Sequence, residues 1–557
     1  MISRAQALEG MQAESFDVVV VGGGVTGAGV ALDAASRGYS VALVERDDFS
    51  QGTSSRSSKM VHGGLRYLQN FDLGLVREAL LERQLMVHLA PHLVYPTPYL
   101  VPALGEDRRD LRIGIGLNMY DVMATSRIGA GRSQRTEREA EGEYWSPDRH
   151  RTISGEEAAE LAPALAPSEP SSAYLFYDCQ TDDSRLVLTI LGEAERFGAV
   201  LLNGAEVTEV LDEDGRASGV RCTEAESGES FEVRAANVVN ATGVWADRIR
   251  PGEILTEEEI PRIAPSRGAH ICLSVEDLDM GEAAFLVPAG DGRTVMVLPW
   301  YGRAMIGPTD KDYDGDLDHV PPGADHISYL LEAVNSFLAL ELTPDQITGA
   351  FGGVRPLISS GDPKKSVDIS RKAELYETSS GMLTITGGKL TTWRRMAKQT
   401  VDRLVQRQGR EAECRTDDIP LGMPAEPKDL ETEVELPDGA RDQLAFRYGH
   451  AARRVLNLCE ERSELAQPIV PGMPDLLAEA ALAARHEQAR TVADLLLRRT
   501  RLGLLAASEL RGDDRPRAVA KAMAPELGWS SARIDREVAG WQRVVGEEGL
   551  DPAAELA

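Results

Sequence analysis

Gly22, Gly24 and Gly27 follow the apolar run Asp17–Val21 in the spacing G-x-G-x-x-G. This spacing suits a dinucleotide. The first glycine allows a tight turn, the second lets a pyrophosphate approach the backbone, and the third lets a helix pack closely on the strand. The helix start then offers free N–H groups and a positive dipole end to phosphates. Val41–Val44 reads as a second buried strand, ended by Glu45, 18 residues after Gly27. A carboxylate there can accept from ribose hydroxyls and repels a 2′-phosphate. Strand, glycine turn, helix, strand and acid in that order make a βαβ nucleotide unit.

The segment after Glu45 bears on which dinucleotide. Gln51 to Lys59 is small and rich in hydroxyls, with Thr53, Ser54, Ser55 and Ser58 ahead of Lys59. It can wrap a second set of phosphate or ribitol oxygens. Ala241-Thr242-Gly243 follows a further buried strand, and Gly387-Gly388-Lys389-Leu390-Thr391-Thr392 opens another helix. Glycine turns this far apart in the chain suit a long, extended cofactor, which favours FAD over NAD. Lys389 stands at a helix start, where an ordinary Lys opposes the dipole. A ligand is the better reason for it: its charge can stabilise an anionic reduced flavin or a developing alkoxide.

The elements that carry these residues fit a chain of 557 residues with 42% hydrophobic content, enough for about three domains. Residues 72–90 read as an amphipathic helix and residues 102–170 as a separate lobe. Residues 199–243 read as a strand meander turning at Asp214-Gly215 and Ser227-Gly228. Residues 263–310 alternate like strands, 411–440 form a linker, and 441–545 are mostly helical. The net charge of −29 repels nucleic acid phosphates. Only nine of the 60 basic residues are Lys, and acid excess with scarce Lys suggests a salt-loving source. The five cysteines stand apart, so neither a metal site nor an iron–sulfur cluster is expected, only buried thiols. There is no run of 18 apolar residues and no apolar signal core before the first strand, which points to an intracellular protein.

The sequence resembles the FAD-dependent glycerol-3-phosphate dehydrogenases, within the amino-acid-oxidase-like flavoproteins. TSSRSSKMVHGGLRYLQ (Thr53 to Gln69) is the most specific segment. PSRGAH (Pro265 to His270), IGPTDKDYDGD (Ile306 to Asp316), GGVRPL (Gly352 to Leu357) and TGGKLTTWR (Thr386 to Arg394) follow in order, with ARTVADLLLRRTRLGLL (Ala489 to Leu505) near the end. The resemblance implies an α/β chain with an α+β substrate lobe. It has a Rossmann-type FAD-binding fold of the amino-acid-oxidase-like group and a helical C-terminal cap domain. The expected division is 1–90 with 171–262 and 350–410 for FAD, 91–170 with 263–349 for substrate, and 411–557 for the cap. Thr26, Arg46, His62, Gly63, Gly64, Leu65 and Val207 join the residues above as expected FAD contacts.

The implied reaction is oxidation of sn-glycerol 3-phosphate to dihydroxyacetone phosphate in glycerol catabolism. Electrons pass to a membrane quinone, directly or through membrane-anchored subunits, on the inner face of the cell membrane. A homodimer or hetero-oligomer is left open. Arg forks suit the phosphate, with Arg66, Arg355 and Arg371 as candidates and Tyr67 as a hydroxyl donor. A base titrating near the working pH favours His. His270 is the expected base, with Lys389 as its rival and His62 expected to position the cofactor loop. Three alternatives stand beside this reading: an oxidase using oxygen, an amine or amino-acid oxidase, and a non-catalytic flavin-binding subunit.

Overall fold

Val18–Val21 and Val41–Val44 are unbroken apolar runs, and each forms a fully buried strand. The computed structural model describes residues 4–65, 72–104, 111–124, 148–251, 260–359 and 373–553. In it the two runs are neighbours in a six-stranded sheet. Its order is Ala373–Glu377, Leu383–Gly387, Val238–Asn240, Val18–Val21, Val41–Val44, Val200–Leu202. All pairs are parallel except the first, a hairpin. Parallel sheets are covered on both faces, and side chains alternate between the faces. Val18 and Val20 pack with the helices Val25–Ser36, Asp183–Arg196 and Trp393–Gln408. Val19 and Val21 pack against a four-stranded sheet on the other side, through Val210, Val220 and Val233. That small sheet is the expected meander, with Asp214, Gly215 and Gly228 at positive φ in its turns.

Ten strands form a second, mostly antiparallel sheet. Its division of the chain differs from the expected boundaries. Met60–Val61, Pro170–Thr181 and Ile347–Arg355 belong to it rather than to the nucleotide unit. Pairing dictates this. Pro170–Thr181 runs against Val94–Leu104 along its length, and Ile347–Arg355 runs against Ser266–Leu273. One face carries Ile271, Val295 and Ile306 onto the helix Ala324–Leu338. The other carries Cys272, Leu298, Met305 and Phe351 into a core shared with the helices of residues 440–547. The helical unit is therefore packed on the substrate sheet. Residues 411–439 cross to it with only one short 3-10 turn, Pro427–Asp429.

Ion pairs without water close the seam between the helical and nucleotide units. Arg498 and Arg499 both reach Asp48, at 2.5 and 2.9 Å, and all three side chains are buried. Arg185 pairs with Glu487, and Arg501 with Asp183. Burial pushes the Asp48 carboxyl up, but Arg499 and Arg498 outweigh it and hold it at about 2. Removing one partner of such a set leaves buried charge uncompensated. Asp48→Ala is expected to destabilise the fold by about 3–5 kcal/mol, read as a lower urea midpoint by tryptophan fluorescence. An unchanged midpoint would count against the seam.

Candidate functional site

The expected glycine turns all lie at carboxyl ends of adjacent parallel strands, where open α/β sheets bind ligands. Each glycine has its own reason. A Cβ at Gly22 (φ +108) would lie 2.8 Å from the Ala241 carbonyl oxygen, so the first turn and the Ala241–Gly243 turn touch. A Cβ at Gly27 would lie 1.9 Å from the Gly22 oxygen, which fixes helix against strand. Gly24 caps the helix without a side-chain bond, and Ser54 Oγ lies 3.0 Å from where its Cβ would be. The Val25 amide donates to that hydroxyl at 2.9 Å. Thr26 follows, half-buried in the first turn. Thr242 bonds Asn240, and Thr386 Oγ1 donates to the Gly243 carbonyl at 3.0 Å, tying the second turn to the third. Gly387 and Gly388 both take positive φ, and a Cβ at Gly388 would strike Met396 Sδ.

Glu45 ends its strand as expected and accepts from the Gly23 and Asp47 amides at 2.7 and 3.0 Å. Arg46 lies over Trp245 and is paired with Asp47 and Asp318, so its charge is already engaged. Val207 is half-buried in the strand Ala205–Glu213 of the meander.

The loop from Thr53 to Leu65 runs from these turns into a cavity of about 970 Å³. Thr53, Ser58, His62, Gly64 and Leu65 line it from the loop; Gly388, Lys389, Leu390 and Thr391 line it from the third turn. The two segments are clipped together: the His62 amide donates to Thr391 Oγ1 at 3.1 Å, and that hydroxyl donates back to the His62 carbonyl. The Gly63 amide donates to the Tyr120 hydroxyl at 2.8 Å, leaving no room for a side chain there. Ser55 is buried, and its carbonyl accepts from Lys59 Nζ and Arg501 Nη2, both at 2.7 Å. Lys59 corrects an expectation. Its side chain is turned beneath the loop, fully buried, with Nζ 2.8 Å from Asp183. An ammonium without water needs a carboxylate, and Asp183 is the one it has.

Arg355 enters the cavity from the end of Ile347–Arg355. Its guanidinium donates to the Thr309 carbonyl at 3.0 Å and to Asp310 at 3.1 Å. A Cβ on Gly268 would lie 2.6 Å from it, which explains the glycine of PSRGAH. Arg293 also lines the cavity and donates to the Asp310 carbonyl at 2.8 Å. Sequence reasoning missed Arg293 and Asp310, although Asp310 lies inside the IGPTDKDYDGD segment. Arg66, Tyr67 and Arg371 lie outside the described residues.

His270 lines the cavity but is nearly closed to solvent. It is 2% exposed, its ring stacks on Phe351 at 4.8 Å, and Nε2 is engaged with Ser58 Oγ at 2.9 Å. Nδ1 is buried without a hydrogen-bond partner. Burial, then the charges of Lys59 and Arg355, push it down to about 3. A base works best when it titrates near the working pH, so burial makes this ring the weaker base of the two. His62 and His270 both line the cavity, and His62, half-buried, is the more accessible imidazole. Nothing in the two sequence contexts told which ring is the more buried.

Two family models match the chain. Residues 17–394 match the family described as FAD dependent oxidoreductase, and residues 414–534 match the C-terminal domain of alpha-glycerophosphate oxidase. Glycerol-3-phosphate dehydrogenase 2 of Mycobacterium tuberculosis is 38% identical over 560 residues, spanning 99% of this chain and 91% of the relative. Glycerol-3-phosphate dehydrogenase of Synechocystis is 31% identical, spanning 95% and 96%. The solved glycerol-3-phosphate dehydrogenase from Bacillus halodurans, complexed with FAD, superimposes with a TM-score of 0.74 at 27% identity over 98% of this chain and 97% of that one. Glycine oxidase from Geobacillus kaustophilus (TM-score 0.50, 21% identity, 73% of this chain and 99% of that one) shares the fold.

The buried neutral His270 makes stability depend on pH. Its folded value, about 3, lies below the unfolded value near 6.5. The unfolded chain therefore binds the proton first. The stability contributed by the neutral ring is complete above about pH 6.5 and is lost progressively from there down toward pH 3. Full loss is on the order of 5 kcal/mol. His270→Asn should flatten the acid slope of unfolding free energy between pH 6 and pH 4, roughly half of that range; a variant with the wild-type slope would mean that another group carries it.

Proposed function

The chain belongs to the glycerol-3-phosphate dehydrogenases of the FAD-dependent oxidoreductase family, and from that premise we propose that it oxidises sn-glycerol 3-phosphate to dihydroxyacetone phosphate. One observation carries the reading: a guanidinium, an imidazole and an ammonium, from Arg355, His62 and Lys389, border a single cavity beside the nucleotide turns. A phosphate dianion, an alcohol proton and a developing oxyanion each have a partner among them.

The residues fit FAD. Glycine turns stand at three adjacent strand ends, where side chains would strike neighbours, and the first is joined to the Ser54 hydroxyl through the Val25 amide. Gly22, Gly24, Thr26 and Gly27 with Ser54 would hold the pyrophosphate, Glu45 the ribose, and Gly388 to Thr391 with His62 to Leu65 the flavin end. When bound, FAD supplies the acceptor for the hydride from C2. Arg355, assisted by Arg293, binds the substrate phosphate. His62 takes the hydroxyl proton as the hydride leaves. Lys389 offsets negative charge that builds on the oxygen or the reduced ring. Arg66, Tyr67 and Arg371 remain candidates for the phosphate on the resemblance.

The electron acceptor we propose is a quinone. The cavity wall formed by the helix Leu111–Ala124 is apolar, with Ile113 and Met119 facing it and Ile115 62% exposed. Such a wall suits an apolar acceptor at a membrane surface. No helix among the described residues is long and apolar enough to cross a membrane, so we propose peripheral attachment or a membrane-anchored partner.

The test is steady-state turnover of the FAD-loaded chain with a water-soluble quinone analogue. Glycerol 3-phosphate should support it; glycine and sarcosine should not. Hydrogen peroxide forming as fast as quinone reduction would favour the oxidase reading. His62→Ala should lower the rate of flavin reduction by about 10²- to 10⁴-fold with FAD retained. Arg355→Ala should lower kcat/KM by roughly tenfold to 10²-fold, the worth of charge-assisted hydrogen bonds, mostly through KM. Loss of FAD from either variant would place those side chains in the wrong part of the cavity.

A further inference from the structure

The helical unit reaches the cofactor loop from beneath through Arg501, while Glu548 pairs with Arg56 of the same loop at 3.1 Å. Arg501 lies between the helices Val492–Arg498 and Leu502–Leu505, fully buried, with φ +69. The left-handed region costs a non-glycine residue of order 1 kcal/mol or more, and it persists where surroundings over-determine it. The surroundings are specific. Arg501 Nη2 donates to Asp183 Oδ1 at 2.8 Å and to the Ser55 carbonyl at 2.7 Å.

Asp183 completes the knot. It opens the helix Asp183–Arg196, and its Oδ2 accepts from the Ser57 amide at 3.1 Å, the Ser57 hydroxyl at 2.7 Å and Lys59 Nζ at 2.8 Å. Lys59 also donates to the Ser55 carbonyl. Three buried charges thus seize the underside of residues 55–59. The upper side of the same loop is the cavity wall, where Ser57 and Ser58 sit and Ser58 holds His270.

We propose that Asp183 and Arg501 are positioning residues of the flavin site. They fix the wall formed by Ser57 and Ser58, and they set the charge of Lys59 directly beneath it. The helical C-terminal unit is then a working part of the redox centre and not a cover for it. This rests on the reading that the cavity takes the flavin and its substrate.

The charge environment gives the proposal its signature. Lys59 faces Asp183, Asp182, Arg501 and His270, with the Trp300 and Phe351 rings 5.2 and 4.9 Å from Nζ. Asp182 takes the Tyr301 hydroxyl; Arg56 and Arg498 add positive charge nearby, and Arg355 faces His270 from the other side. Burial and Arg501 push Lys59 down to about 7, against the pull of Asp183. Neutralising Asp183 should therefore lower it further and favour the neutral amine. The change in charge lies under the cavity, where flavin absorbance and proton transfer would both register it.

The experiment uses the full FAD-loaded chain. Asp183→Asn keeps the volume and removes the charge. It should retain FAD at wild-type stoichiometry, shift the flavin absorbance and midpoint potential, and move the pH profile of anaerobic flavin reduction by about one unit. The rate of reduction by glycerol 3-phosphate should fall by roughly tenfold to 10²-fold. Arg501→Lys keeps a cation but loses the contacts of Nη1 with the Leu497 carbonyl and of Nε with Asp182, and should fall between wild type and Arg501→Met. Wild-type absorbance, potential and pH profile, with only a lower unfolding temperature, would overturn the proposal. If Asp183→Asn does not fold, Arg501→Lys decides in the same way: a moved profile supports it and an unmoved one overturns it. Absorbance and potential need no substrate. Failure of wild type to bleach with glycerol 3-phosphate would therefore sink the substrate reading and leave this test standing.

Discussion

A carboxylate shut away from water costs several kcal/mol unless donors surround it, and Asp183 is shut away completely. Its donors come from the cofactor loop, from the first turn of its own helix and from the helical C-terminal unit. That requirement joins three distant parts of the chain at one point. The nucleotide sheet supplies the helix, the substrate sheet supplies Phe351 and His270 above the loop, and Arg501 closes the floor. Helix position adds to it, since a negative charge in the first turn is favoured by the dipole. Remove the carboxylate and two cations lose their common partner.

The second constraint is space. A dinucleotide needs backbone donors exposed at strand ends, and exposed backbone means no side chain in the way. Gly22, Gly27 and Gly388 each occupy a position where a Cβ would strike a neighbour. Gly268 and Gly307 do the same work around Arg355 and His270, where a methyl group would sit 2.6 and 2.3 Å from the functional side chains. The cavity is thus shaped as much by glycines as by the charged groups that border it. Its arginines, Arg355 and Arg293, are held by Asp310 and the Thr309 carbonyl. They are aimed before any ligand arrives, which reduces the reorganisation that binding and reaction require.

What could be read from the sequence was local. Valine runs, glycine turns and Glu45 lie close along the chain, and each implies its structure by short-range sterics. Strand membership was harder. Pro170–Thr181 and Ile347–Arg355 are apolar strands that either sheet could have taken, and only partners some 75 residues away decide between them. Direction within the cofactor loop was also hidden. Ser58 and Lys59 are neighbours in a polar segment, yet one faces the cavity and the other lies under it. His62 and His270 are both histidines in motif segments, and burial alone separates them. Asp183 carried no signal and Arg501 only its place in the Ala489–Leu505 segment, because a buried ion pair spanning 318 residues has no local pattern.

The most direct measurement is an anaerobic titration of the FAD-loaded chain with sn-glycerol 3-phosphate, followed at the flavin absorbance. A cavity bordered by Arg355, His62 and Lys389 should let a stoichiometric amount of this substrate bleach the flavin. An unbleached spectrum at saturating glycerol 3-phosphate, or bleaching by glycine or sarcosine in its place, would contradict the reading.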